Sequence, residues 1–204
     1  MRKHFGAILL AGGQSSRMGQ DKASLEINGQ TLIERLLFVL RPIVEETVVI
    51  RAPGQALPRI NKDLLEWIKV GWDSVRERGP LQGIVDALPL LNADIDKIFI
   101  ITCDLPYLTS EWLQLLRDIM TEEYDIVCTE ENNITNPLLG IYKREVLEAA
   151  EKIVSSGKSR PILLWEGWKM ARLSAPEETP WICMDANTPL EFEKAKKFFK
   201  KKND

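Results

Sequence analysis

Histidine is nearly missing from this chain, which carries one, His4, in 204 residues. Chemistry that relays protons through imidazole, or binds zinc through several histidines, has little to work with. Cysteine is almost as scarce. Cys103, Cys128 and Cys183 are odd in number, far apart and match no zinc spacing. They read as reduced thiols, as expected of a cytoplasmic protein. Neither sign of charge dominates: 27 Lys and Arg against 30 Asp and Glu leave a net −3. No broad basic field is on offer to a nucleic acid. No apolar run approaches the ~18 residues of a membrane span. Met1, Arg2, Lys3 and His4 before Phe5–Leu10 imitate a secretory signal, but Arg17, Asp21 and Lys22 come too soon after it. Internal repeats and linker-like stretches are lacking as well.

What is present suits a soluble globular enzyme: 45% hydrophobic and 28% charged residues. A chain of this length buries ~70% of its unfolded surface without staples. The expectation is one domain spanning residues 1–204. Apolar, β-branched runs alternate with segments of helical period. Phe5–Leu10, Thr47–Ile50, Lys97–Thr102, Asp125–Thr129, Leu138–Tyr142 and Ile182–Met184 read as strands. Thr31-x-x-Glu34 has the form of a capping box and opens a helix carrying Leu32, Ile33, Leu36, Leu37 and Leu40. Further helices are expected from Pro80 to Leu88, from a Ser110 cap through Met120, and from Arg144 to Ser155. Thr188-Pro189-x-Glu191 starts a C-terminal helix. Its end, residues 194–204, carries six lysines. It reads as a basic helical tail that complements its dipole and frays, or else meets an anionic partner. The βαβα alternation and the continuous apolar runs predict an α/β fold, three-layered and Rossmann-like, with a mainly parallel sheet.

The segment after the first strand is the most informative. Phe5–Leu10 ends abruptly at Ala11-Gly12-Gly13, followed by Ser15, Ser16, Arg17 and Lys22. A strand running into a glycine-rich, cation-bearing loop is how α/β proteins cradle phosphates, with backbone N–H groups and fixed positive charge aimed at the anion. The pattern is neither a Walker loop, since Gln20-Asp21 follows Gly19, nor a Gly-x-Gly-x-x-Gly fingerprint, since Gly12 and Gly13 are adjacent.

A second group sits at the end of the Lys97–Thr102 run, where Cys103 leads into Asp104-Leu105-Pro106. In an open α/β sheet ligands collect at the carboxyl ends of the strands. Asp104 there either holds a divalent cation or begins a turn. Mg²⁺ usually takes one or two carboxylates plus phosphate oxygens and water, which suits the first reading. His4 reads as an exposed side chain. Trp165, Trp168 and Trp181 read as core residues rather than stacking partners for a ligand.

The string Leu10-Ala11-Gly12-Gly13-x-Ser15-x-Arg17-Met18-Gly19-x-Asp21-Lys22 resembles the opening motif of nucleotidyltransferases that activate a phosphate with an NTP. More narrowly, it is similar to that of the molybdenum cofactor guanylyltransferases. Asp73-Ser74 with Gly79-Pro80-Leu81-x-Gly83, Asn136-Pro137-Leu138 with Gly140-x-Tyr142, and Asp185-x-Asn187-Thr188-Pro189 extend the likeness over most of the chain. The resemblance implies transfer of GMP from GTP to the phosphate of molybdopterin, with release of pyrophosphate and with Mg²⁺ as cofactor. It implies nucleotide binding by Leu10, Ala11, Gly12, Gly13, Lys22, Asp73 and Asp104, catalysis by Arg17, Lys22 and Asp104, and Mg²⁺ on Asp104. Asp185 and Asn187 would face the acceptor. Transient contact with enzymes that receive the cofactor is a further implication.

Such a reaction needs little proton chemistry. A monophosphate has a second pKa of roughly 6 and is largely ionised at neutral pH, so no general base is required. Glycine at position 12 is expected to let the backbone approach a two-ring base, favouring GTP over CTP. Two departures stand out. The family generally places a nucleotide-contacting Asn just after the second strand, where this chain has Arg51. It also often has His where this chain has Asn136. Neither contact is carried over. The alternatives are a related transferase using CTP or another phosphate acceptor such as a sugar phosphate, and a non-catalytic nucleotide-binding protein.

Overall fold

A computed structural model describes residues 4–13, 21–176 and 179–203. β1 (Phe5–Leu10) is buried along its whole length. With apolar side chains on both faces, it fits only the middle of a sheet covered on both sides. A 3₁₀ turn at Lys22–Ser24 precedes a small hairpin of β2 (Glu26–Ile27) and β3 (Gln30–Thr31). The hairpin turns through Asn28 and Gly29 at φ 52° and 77°, left-handed values that these two residue types tolerate. α1 (Leu32–Leu40) is capped by Thr31, whose Oγ1 accepts from the Glu34 N–H at 3.3 Å. Glu34 does not close the box: its carboxylate accepts from the Asn61 N–H at 2.7 Å.

β4 (Glu46–Arg51), α2 (Lys62–Trp67), β5 (Ile68–Trp72), α3 (Pro80–Ala87), β6 (Lys97–Thr102) and α4 (Ser110–Ile119) follow. The chain continues through β7 (Ile126–Glu131), β8 (Ile134–Lys143), α5 (Arg144–Glu148), α6 (Ala150–Ser155), β9 (Met170–Ser174) and α7 (Pro189–Asn203). Seven strands form one sheet in the order β5-β4-β1-β6-β8-β7-β9. β8 runs antiparallel to β6 and to β7; the other pairings in this sheet are parallel.

Alternate residues of β1 feed two cores. Phe5, Ala7 and Leu9 join Ile33, Leu36 and Leu37 of α1 and Trp112, Leu113 and Leu116 of α4 on one face. Ile8 and Leu10 join Leu81 and Ile84 of α3 and Val146, Leu147 and Ala150 of the α5–α6 pair on the other. The result is the expected three-layer α/β architecture with a mainly parallel sheet. From β1 the chain steps out to β4 and β5, then crosses back to β6 on the other side of β1. That reversal opens a crevice at the carboxyl ends of the central strands.

Three local expectations are corrected. α2, β5 and β9 have no counterpart in the sequence reading. β5 and β9 are edge strands, only partly covered, and lack the continuous apolar run that marks the centre. Ile182–Met184 is not a strand: Pro180–Cys183 forms a 3₁₀ turn from which Cys183 reaches the core. The α4 cap is Thr109, which accepts from the Trp112 N–H, while Ser110 donates to the Val39 carbonyl. The basic tail is helical, as expected. α7 continues to Asn203 because Phe192, Ala195 and Phe199 share a core with Ile27 and Leu32 of the hairpin side. Arg35 lies over the Phe199 ring at 3.8 Å, a cation–π contact that covers it.

The tryptophans are packing residues, as expected. Trp165 and Trp168 pack against the α3 side of the sheet, and the Trp181 ring lies 5.8 Å from that of Phe198. The three cysteines are free and buried. Among the described residues no helix is long and apolar enough to cross a membrane.

Candidate active site

A cavity of about 560 Å³ opens at the carboxyl ends of β1, β4, β5 and β6. That is the size range of small-ligand sites, in the place an open α/β sheet puts them. Leu10, Ala11, Gly12, Gly13, Lys22, Asp73 and Asp104, scattered across the sequence, all line it. Pro53, Gly54 and Gln55 from the loop after β4, and Arg76 and Glu77 from the segment before α3, complete the wall. None of these five is among the residues the sequence points to. Arg17 lies outside the described residues.

The sheet itself presents the glycine loop. Past the end of β1, the Ala11 N–H donates to the Ile50 carbonyl at 2.8 Å, and the Cys103 N–H donates to the Leu10 carbonyl at 3.0 Å. β1 is thereby flanked by β4 and β6 up to the first glycine. Since the Ala11 amide is spent on the sheet, an anion would meet the backbone at Gly12 and Gly13. Gly12 has a steric reason that the sequence does not show. A Cβ there would lie 2.6 Å from the Ala52 nitrogen and 3.0 Å from the Arg51 carbonyl carbon. Glycine is required here by the close approach of the chain to the end of β4.

On the β6 side, Asp104 stands two residues beyond the strand. Lys22 reaches it from the far end of the loop, with Nζ 3.3 Å from Asp104 Oδ2. The same ammonium donates to Asn187 Oδ1, and Asn187 Nδ2 in turn donates to Asp185. The Ala186 N–H, between those two, donates to the Asp104 carbonyl at 2.8 Å. Asp185 and Asn187 therefore join the site through Lys22 and Asp104 from the segment leading into α7. Burial, followed by repulsion from Asp104, raises the Asp185 pKa. Neighbouring carboxylates that resist joint ionisation favour a cation between them. Carboxylate and amide oxygens are hard donors, and the set suits Mg²⁺, which needs few protein ligands when phosphates supply the rest. Among the described residues, no group of three or more His, Cys, Asp or Glu could hold a metal alone.

Asp73 occupies the opposite wall. Burial, with repulsion from Asp86 second, pushes its carboxyl up to about 6. Its Oδ1 is buried with no hydrogen-bond partner among the described residues. A Cβ on Gly83 would come within 3.0 Å of that oxygen and 2.9 Å of Leu10 Cδ2, so only glycine lets α3 lie this close. Asp73 as a whole still lines the cavity, where a carboxylate can accept from a ligand's N–H or O–H.

The middle segment divides. Leu138 lines the cavity, while Tyr142 is buried and donates to the Pro137 carbonyl at 2.7 Å, a packing role. Asn136 Oδ1 accepts from the Leu138 N–H at 2.9 Å and shapes the strand. Cys103 lines the cavity, but burial pushes its thiol up to about 12, which leaves it protonated and inert. Arg51, where the resemblance would put Asn, is fully buried and turned toward the glycine loop.

A glycine loop, a lysine and a strand-end carboxylate that meet at one cleft are the parts of a nucleotidyltransferase. The chain belongs to the MobA-like NTP transferase domain family, whose model matches residues 7–170. A protein of Carboxydothermus hydrogenoformans named "probable molybdenum cofactor guanylyltransferase" is 33% identical, covering 94% of this chain and 94% of its own. One of Bacillus cereus strain AH820 with the same name is 30% identical, covering 97% and 98%. Among solved structures, molybdopterin-guanine dinucleotide biosynthesis protein A from Archaeoglobus fulgidus matches with a TM-score of 0.73. It covers 96% of this chain and 99% of its own, and at 20% identity that likeness speaks to the fold.

Proposed function

We propose that this protein transfers GMP from GTP to the terminal phosphate of molybdopterin, releasing pyrophosphate, with Mg²⁺ as cofactor. The observation that carries the reading is the meeting of Lys22 and Asp104 at the cavity, at 3.3 Å, beside the glycine loop. Relatives sharing about a third of the sequence along nearly the whole chain are named for guanylyl transfer in molybdenum cofactor synthesis, which supports GTP and molybdopterin as substrates.

The acceptor phosphate, already ionised near neutral pH, attacks the α-phosphorus, and the bond to the β-phosphate oxygen breaks. Catalysis then rests on alignment and charge neutralisation. Gly12 and Gly13 offer backbone amides to the donor phosphates, and Arg17 adds a cation. Lys22 offsets the negative charge that grows as pyrophosphate leaves. Asp104, with Asp185 and Asn187 beside it, would hold Mg²⁺. When bound, the metal supplies Lewis-acid polarisation of the phosphate being transferred. Asp73 accepts a hydrogen bond from the nucleoside. Asp185 and Asn187 position the acceptor.

The test is pyrophosphate release with purified protein, GTP, Mg²⁺ and molybdopterin. Release is expected only when all are present, with a product heavier than molybdopterin by one GMP residue. Turnover of GTP without the acceptor, or none with it, would contradict the reading.

A further inference from the structure

Arg51 ends β4 with its side chain fully buried. A guanidinium without access to water is tolerated only where it is paired, and here the partners are two residues that line the cavity, Ala11 and Asp21, and one, Ala56, next to its lining loop. Nη1 donates to the Ala11 carbonyl, at the glycine end of the loop. Nη1 and Nη2 reach Asp21 Oδ1 and Oδ2 at 3.3 and 2.5 Å, at the lysine end. Nη2 also donates to the Ala56 carbonyl at 3.0 Å, in the loop that forms the facing wall. One side chain therefore ties together three segments that line the site.

Asp21 passes the constraint on. Its carboxylate accepts from the Ala23 N–H at 3.2 Å and from Ser24 Oγ at 2.9 Å, so it caps the 3₁₀ turn whose first residue is Lys22. Where Asp21 is held fixes where the Lys22 stem begins. A bidentate fork specifies direction as well as distance, which a lysine in the same place would not.

We infer that Arg51 is a positioning residue for nucleotide transfer. It holds the glycine end and the lysine end of the loop at a set separation, and acts through Asp21 on Lys22 without touching substrate. This rests on the nucleotidyl-transfer reading of the same site. The gain is preorganisation: a reactive geometry already formed in the free enzyme costs nothing at the moment of reaction.

The test is the double variant Arg51→Met/Asp21→Ser. Met keeps the length of the buried stem, and Ser keeps a capping oxygen. Replacing a buried ion pair with uncharged groups of similar volume is often neutral for stability, so the melting temperature should stay near wild type. The kcat/KM for GTP should nevertheless fall at least about tenfold, mainly through kcat. Amide exchange at residues 23–25 should quicken in the protein without ligand. Arg51→Lys should recover only part of the activity, whereas a merely structural arginine would restore it in step with stability. Should the double variant not fold, Asp21→Asn alone, at a half-exposed position, should show the same two effects more weakly. A folded variant with wild-type kcat/KM and wild-type exchange would overturn the inference. If the wild-type protein does not turn GTP over, the functional reading fails instead, and exchange alone decides the clamp: unchanged protection at residues 23–25 overturns it.

Discussion

Lys22 Nζ lies 3.3 Å from Asp104 Oδ2, although the residues are 82 positions apart. β1 and β6 are direct neighbours in the sheet, and the contact lies at their carboxyl ends.

Lys22 is expected to act on the transition state more than on nucleotide binding. Lys22→Ala should lower kcat by a factor on the order of 10², with a smaller rise in KM for GTP. Steady-state kinetics at saturating acceptor separate the two. A change confined to KM would make Lys22 a binding residue only.

Asp104→Asn should leave the fold intact, since the side chain is outside the sheet's cores. Transfer should drop by about 10²–10³, the scale of losing one electrostatic stabiliser from an active site. Circular dichroism establishes folding and pyrophosphate release establishes rate. Full activity in a folded variant would remove the metal assignment.

Gly12→Ala is expected to damage the protein before it alters nucleotide choice. A Cβ 2.6 Å from the Ala52 nitrogen forces the loop and the end of β4 apart. Thermal unfolding should show a loss of about 1–3 kcal/mol, the usual scale of overpacking. The ratio of GTP to CTP use should change less than either rate. A stable variant with reversed preference would contradict this and favour the base-approach argument read from the sequence.

Asp73 predicts a pH dependence with a definite sign. Its folded-state pKa, about 6, exceeds the ordinary 3.8 because burial penalises the charged form, with Asp86 adding to the effect. Between those values the native protein holds a proton that the unfolded chain has released, so this group's contribution to stability falls as pH rises and is gone above about 6. Asp73→Asn should therefore raise the denaturant midpoint relative to wild type at pH 8 and change it little at pH 4. An equal change at both would contradict the assignment.

The centre of the fold was legible in the sequence and its margins were not. β1 and β6 are buried on both faces and so are written as unbroken apolar runs. β5 and β9, at the sheet edges, must satisfy solvent as well as core, and their residues carry a mixed pattern. Ile182–Met184 shows the converse error: a short apolar triplet cannot by itself distinguish a strand from a 3₁₀ turn packed on the core.

The site divides the same way. Lys22 and Asp104 could be found because their chemistry is tied to strand ends, where the fold must place a ligand. Arg51 was noted only as a departure from a pattern. Its use depends on Ala11, Asp21 and Ala56 converging from separate segments, and no local spacing encodes that. Gly12 is singled out by the sequence, but its contact with the end of β4 is not. The sequence shows that a side chain is missing, but the neighbour that would strike it is visible only once β4 is in place.

The central claim is guanylyl transfer to molybdopterin. Its most direct test offers the purified protein equal GTP and CTP with Mg²⁺ and molybdopterin, and weighs the dinucleotide products by mass spectrometry. A site that hydrogen-bonds one base leaves polar groups unpaired with another. The guanine product should therefore exceed the cytosine product at least about tenfold, a difference of ~1.4 kcal/mol in transition-state binding. Equal amounts of the two products, or a cytosine product in excess, would contradict it.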